Sequence, residues 1–222
     1  MDILEAIQTR HSVRKYTDTP ISPEHTTALE AEINRCNAES GLHIQLILNE
    51  PKAFGNFFAH YGLLHGVKNY IALIGKDDAA LDEKCGWYGE HLVLKAQQMG
   101  LNTCWVGGTY KKVMSAFDIS DGEKLCLVIA IGYGKNQGNK RRSKSFEEVT
   151  DVKDEVPEWF RNGVEAALLA PTAINQQKFK FSLNGNKVTT TAGKGPFSVV
   201  DLGIVKYHFE VGAGKENFEW SE

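Results

Sequence analysis

Leu125 to Tyr133 reads Leu-Cys-Leu-Val-Ile-Ala-Ile-Gly-Tyr, a strand with no polar face to give to water. Such a run belongs in the middle of a sheet. Tyr70 to Ile74 is also apolar throughout and supplies a second central strand. Between them, Glu83 to Met99 is the strongest helix in the chain. Leu92, Leu94, Ala96 and Met99 give it a broad apolar surface suited to the centre of a fold, and Gly100 is its left-handed stop. Thr103 to Gly108 then leaves in an extended segment. A chain of 222 residues can bury a core of this kind.

The remaining elements follow from caps and turns. Asp2 caps a first helix that buries Ile3, Leu4 and Ile7. Ser22-Pro23-Glu24 starts a second, running to about Cys36 with Leu29 and Ile33 inward. His43 to Leu48 is a strand, turned by Asn49-Glu50-Pro51. A less regular stretch to Val67 holds Phe54, Phe57, Phe58 and Tyr61, which are either core or the roof of a planar ligand. After a connector at 147–156, Pro157-Glu158-Trp159 opens a helix carrying Val164, Ala167 and Leu168 to the Pro171 break. Lys178 to Leu183 and Lys187 to Thr191 are hairpin strands joined by Asn184-Gly185. Asp201 to Val211 is a last helix, and Glu219-Trp220 is extended.

The two ends of this order share a grammar: helix, strand, second strand ending in Gly-Lys, helix with a glycine stop, exit segment with tryptophan. Leu46, Gly75, Gly100 and Trp105 mark the first copy and Phe181, Gly193, Gly214 and Trp220 the second, at separations of 135, 118, 114 and 115 residues. The pattern predicts an α+β fold with an antiparallel-rich central sheet flanked by helices. It divides the chain into two pseudo-symmetric halves, 1–146 and 147–222, that form one compact unit.

A net charge of −3 argues against broad attraction to nucleic acid or an anionic membrane. No apolar run approaches 18 residues and the N-terminus has no signal-peptide pattern, so a soluble, cytoplasmic protein is expected. Cys36, Cys85, Cys104 and Cys126 are scattered, without metal spacing, and read as reduced core residues rather than ligands or nucleophiles.

Two stretches carry candidate chemistry. In Arg10-His11-Ser12-Val13-Arg14, an extended backbone would turn Arg10, Ser12 and Arg14 to one face, and guanidinium forks match phosphate oxygens. Local spacing alone favours a plainer reading, a solvated basic helix end that complements the helix dipole. In Ala170-Pro171-Thr172-Ala173-Ile174-Asn175-Gln176-Gln177, a helix exit is rich in hydrogen-bonding groups and has no net charge. Gly107-Gly108 lets backbone come close to a ligand, or is only a turn. The basic run Lys135 to Lys144 is a solvated loop, unless one of its arginines returns to the phosphate.

These residues together resemble the nitroreductase family of FMN-dependent oxidoreductases, and within it an internally duplicated group. ILEAIQTRHSVRKYTDTPIS is similar to the family's Arg-x-Ser-x-Arg phosphate motif. GEHLVLKAQQMGLNTCWVGG is similar to its central helix and flavin-facing loop. LCLVIAIGYGKNQGNKRRSKSFEEV is similar to its last core strand with a basic loop. LLAPTAINQQKFKFSL is similar to its Ala-Pro-Ser-x-x-Asn-x-Gln-Pro motif. Family members are homodimers in which one subunit holds the flavin phosphate and the partner's Ala-Pro-Ser loop covers the ring. Here that loop is absent from 35–41 and stands at Ala170 instead, with Thr172 in place of serine and Lys178 in place of proline. One chain would then hold both walls of a site that elsewhere needs two, so a monomer suffices, with a homodimer also compatible.

The resemblance implies FMN as cofactor and NADH or NADPH as donor. Arg10, His11, Ser12 and Arg14, with Arg141 or Arg142, would hold the phosphate end. Pro171, Thr172, Asn175 and Gln177 would meet the ring system, and Gly107 and Gly108 its reactive edge. The flavin carries the chemistry, so no catalytic side chain is required. Ping-pong reduction of a small nitro, quinone or flavin acceptor follows. No GxGxxG motif is present to separate NADH from NADPH. Two other readings stand beside it: an FMN-binding protein without reductase turnover, and a cofactor-free scaffold of the same fold.

Overall fold

The computed structural model describes residues 1–55, 64–152 and 155–221. Phe57, Phe58 and Tyr61 lie outside them; Phe54 is core, edge-on to Tyr70. Asp2 Oδ1 accepts from the Glu5 amide and starts α1 (Ile3–Thr9). Ser22 Oγ accepts from His25 N and starts α2 (Pro23–Ser40). Expected to end near Cys36, α2 runs a further turn, because the left-handed residue that stops it is Gly41 (φ 72°).

Four strands make the main sheet: β1 (Gln45–Ile47), β2 (Asn69–Lys76), β3 (Asn102–Val106) and β4 (Glu123–Gly132), in the order β1-β2-β4-β3, all antiparallel. The two apolar runs are indeed the inner strands β2 and β4, buried along nearly their whole length. β1 is shorter than the expected 43–48, although His43 N still donates to Ile74 O (2.8 Å). A smaller sheet joins the hairpin β5 (Phe179–Asn184) and β6 (Lys187–Ala192) to β7 (Glu219–Trp220), which runs parallel to β6.

Two long helices hold the sheets together. α3 (Leu81–Gln98) and α5 (Ser198–Ala213) cross at the centre, with α4 (Glu158–Leu168) against α5. At the α3–α5 crossing both chains are bare. A Cβ on Gly86 would stand 2.0 Å from Val200 O, and one on Gly203 would stand 2.0 Å from Glu83 O. The main core runs from Ile71, Leu73 and Leu127 through these helices to Phe181, Val188 and Phe209, so both sheets share one apolar interior. Among the described residues no helix is long and apolar enough to cross a membrane. Three of the four cysteines are buried and all are free thiols; burial pushes the Cys36 thiol up to about 12.

Candidate functional site

After α1 the backbone becomes extended and joins the free edge of β3. Ser12 bridges Thr103 in parallel, and Val13 N donates to Thr103 O (2.9 Å). Val13 packs inward, so Ser12 and Arg14 turn to the other side, as strand alternation requires. Arg10 departs from the expectation. It is the cap of α1, with its guanidinium drawn into the core 3.8 Å from Glu90, and it does not line the cleft that Ser12 and Arg14 face.

That cleft has two adjoining lobes sharing Ser12, Arg14, Pro171, Thr172 and Ile174. One, about 330 Å³, is an apolar slot walled by Trp105, Val106, Leu127, Val200 and Ile204. Gly107 and Gly108 form one rim, just past the end of β3. A Cβ on Gly107 would meet the Phe197 ring at 2.4 Å, so only bare backbone passes beneath that ring. The other lobe, about 530 Å³, is polar: His11, Lys15, Asn136, Asn139, Arg141 and Asn175 stand around it. His11 Nδ1 donates to the Thr9 carbonyl (2.9 Å).

The loop after α4 is built under strain. Ile174, Asn175 and Gln177 are all left-handed, with φ of 47°, 56° and 45°. A β-branched residue there is rare, and Ile174 is nevertheless 89% exposed at the junction of both lobes. Side chains pin the loop. Ala173 N donates to Asp201 Oδ1 (2.9 Å), Gln176 Nε2 to Asp201 Oδ2 (2.7 Å), and Gln177 N to Thr172 Oγ1 (3.1 Å).

The basic loop closes over the other side. Arg141 donates from Nη2 to the carbonyls of Ala170 and Leu169, which cap the C-terminal end of α4 where a cation suits the dipole. Asn175 Nδ2 donates to Arg142 O (2.8 Å) and Gln177 Oε1 accepts from Lys144 N (2.8 Å). Three expectations therefore change. Asn175, expected to meet the ring system, stands on the polar lobe and not on the apolar slot. Gln177 is buried and ties the two loops together instead of meeting a ring, and Arg142 points to solvent while its carbonyl does the binding. Arg141 is the arginine of this run that reaches the polar lobe.

Sequence reasoning missed Phe197, Asp201 and the α5 wall, because the only local signal is Gly195-Pro196-Phe197 ahead of a helix. Asp201 is 6% exposed, and burial pushes its carboxyl up to about 6 against the opposing bonds from Gln176 and Ala173. The sign follows. A folded value above the unfolded one near 3.9 means that Asp201's contribution is intact at low pH and is lost as pH rises through about 6. Between pH 4 and 8, the stability of Asp201→Asn relative to the unmutated chain should therefore move in the variant's favour by about 2–3 kcal/mol. Urea midpoints at both pH values measure this; a gap independent of pH would contradict it.

Behind the cleft wall lies a buried charged network. Glu90, fully buried on α3, accepts from Trp105 Nε1 (2.9 Å) and pairs with His208 Nε2 (2.8 Å). His208 Nδ1 faces the Ala166 carbonyl (3.0 Å) and must donate to it. Arg10 Nε and Nη2 have no hydrogen-bond partner among the described residues. Burial lowers the pKa of Arg141 to about 10, and the like charge of Arg10 adds to it, with Glu90 opposing. Two neighbouring guanidiniums under-neutralised by one carboxylate are the electrostatics of an anion site.

The "Putative TM nitroreductase" family model matches residues 2–213. The chain belongs to this nitroreductase family. No curated protein matches it. Among solved structures, one of the same designation from Thermotoga maritima superposes with TM-score 0.72 at 22% identity, covering 97% of this chain and 85% of that one. A nitroreductase-designated structure from Desulfovibrio desulfuricans, in complex with FMN, gives TM-score 0.55 at 20% identity over 71% of this chain and 99% of its own. A nitroreductase family protein from Streptococcus pneumoniae gives 0.54 at 16% identity, over 69% and 100%. The expected nitroreductase-like α+β fold is thus the observed one.

The residues present fit FMN. The polar lobe, with Arg14 and Arg141 on it, suits a terminal phosphate, the apolar slot suits a planar ring system, and the two lobes share five lining residues.

Proposed function

We propose that the chain is an FMN-dependent NAD(P)H oxidoreductase that reduces a small nitro, quinone or flavin acceptor by a ping-pong sequence. The observation that carries this is the single cleft in which the Ser12–Arg14 edge, the Gly107–Gly108 rim and the Pro171–Asn175 loop face one another, although the first and last lie some 160 residues apart. When bound, the flavin supplies two-electron transfer between the nicotinamide and the acceptor. The chain's own groups bind and orient. Ser12, Arg14 and Arg141 hold the phosphate end, with His11 beside them. Val106, Leu127, Val200 and Ile204 exclude water from the ring. Pro171 and Thr172 border it from the α4 side, and the backbone past Val106 borders its edge. The slot's open mouth, flanked by Ile174 and Phe197, leaves one side for donor and acceptor in turn, which is why the kinetics should be ping-pong.

Freshly purified protein should be yellow, and NADH or NADPH should bleach it under anaerobic conditions. Colourless protein that takes up no added FMN sinks the reading. Bound flavin that neither nicotinamide reduces would recast the chain as a flavin-binding protein without reductase turnover. Arg14→Ala should weaken FMN binding by about tenfold, the low end for a charge-assisted contact because Arg14 is exposed. Fluorescence titration reads this directly, and an unchanged dissociation constant would remove Arg14 from the phosphate site.

A further inference from the structure

Gly86 and Gly203, which let α3 and α5 touch backbone to backbone, lie 117 residues apart, within the separations that relate the two halves of the sequence. Other contacts repeat at a similar offset. Trp105 Nε1 donates to Glu90 on α3, and Trp220 Nε1 donates to Glu210 on α5, both at 2.9 Å. Both helices reach a left-handed glycine just after they end, Gly100 at φ 78° and Gly214 at φ 76°. Shifting the α5 wall of the slot by 117 residues turns Val200, Asp201 and Ile204 into Glu83, Lys84 and Trp87. Those three, with Trp220, Lys206 and Glu210, line a separate open groove of about 390 Å³ on the far side of the helix pair.

We infer that this groove is the pseudo-symmetric counterpart of the flavin slot and that lysine–carboxylate pairs have replaced the apolar wall a flavin ring would need, so that one chain binds one FMN. The inference rests on the FMN reading above. Where the slot has Val200, the groove has the carboxylate of Glu83, paired with Lys206 Nζ. Lys206 also lies 5.4 Å from the Trp220 ring centroid, and Lys215, paired with Glu210 (2.7 Å), lies 4.9 Å from that of Trp87. A lysine ammonium thus stands over each of the two indole rings that line the groove. Polarity is inverted at the loop contact as well: Asp201 accepts from Ala173 N, whereas Lys84 Nζ donates to Ser40 O (3.3 Å). Among the described residues no arginine lines the groove, and Lys206 is already committed to Glu83 and Lys84 to the Ser40 carbonyl.

Nearby, Glu32, Cys36 and His91 come together, but the Arg35 guanidinium bonds Glu32 and His91 and already supplies the cation.

The test is to strip the chain of flavin, titrate it with FMN, and follow flavin fluorescence to saturation. One FMN per chain is expected, and Lys206→Ala should change neither that number nor the dissociation constant. Two FMN per chain, or one per two chains, would overturn the inference while leaving the flavin reading standing. Loss of FMN in Lys206→Ala would overturn it too, by putting the flavin in the groove. No binding at all would sink the flavin reading itself, and this inference with it.

Discussion

Gly203→Ala is expected to lower stability by about 3 kcal/mol or more, the upper end for overpacking. In a chain of this size that is a fall of roughly 6–12 °C in melting temperature. Helix propensity points the other way, since alanine in place of glycine gains about 1 kcal/mol within a helix. The steric term wins because of what the new methyl would meet. Glu83 O at 2.0 Å and Trp87 N at 2.7 Å are backbone atoms of α3. Neither can rotate aside as a side-chain tip would, so relief requires α3 and α5 to separate along the crossing that both sheets depend on. Gly86→Ala should do the same from the other side, with Val200 O at 2.0 Å. Gly108→Ala is the control: a Cβ there meets nothing within 4 Å, and its cost should stay within about 0.5 kcal/mol. Differential scanning calorimetry on the three variants decides the matter; a Gly203→Ala melt matching that of Gly108→Ala would show that the helices are not held in backbone contact.

The elements were legible because their signals are local. Asp2, Ser22 and Asn184-Gly185 each sit at the boundary that their chemistry dictates. The apolar runs at 70–74 and 125–133 became inner strands because nothing else could bury them on both faces. The site was legible only in outline. Ser12, Arg14, Gly107, Gly108, Arg141, Pro171 and Thr172 do come to one cleft. Arg10 does not, because strand alternation holds only once the chain has left α1, and Glu90, 80 residues on, supplies an inward partner that no local pattern announces. Gln177 was read as ring-facing from a linear motif, but the left-handed backbone at 174, 175 and 177 turns it inward. Non-glycine residues carry that conformation here, so composition offered no warning. Phe197 escaped for the same reason, carrying φ of 56° itself at the start of α5.

Glu90→Ala should be the most damaging single substitution in the buried network, at about 3–5 kcal/mol, because it leaves an uncompensated charge in the core. Arg10, 3% exposed, loses its nearby carboxylate, and Trp105 Nε1 loses its acceptor. Glu90→Gln separates charge from hydrogen bonding. The amide oxygen can still accept from Trp105, so the cost should fall to about half, and what remains is the unneutralised guanidinium. The two properties should then move in opposite directions. Removing the carboxylate makes the Arg10–Arg141 region more positive, so Glu90→Gln should hold FMN, or inorganic phosphate as a competitor, at least as tightly as the unmutated chain while melting at a lower temperature. Calorimetry and FMN titration on the same preparation test both halves. A Gln variant that loses stability and FMN affinity together would mean that Glu90 acts by shaping the slot through Trp105, and that its charge is not what balances the arginines.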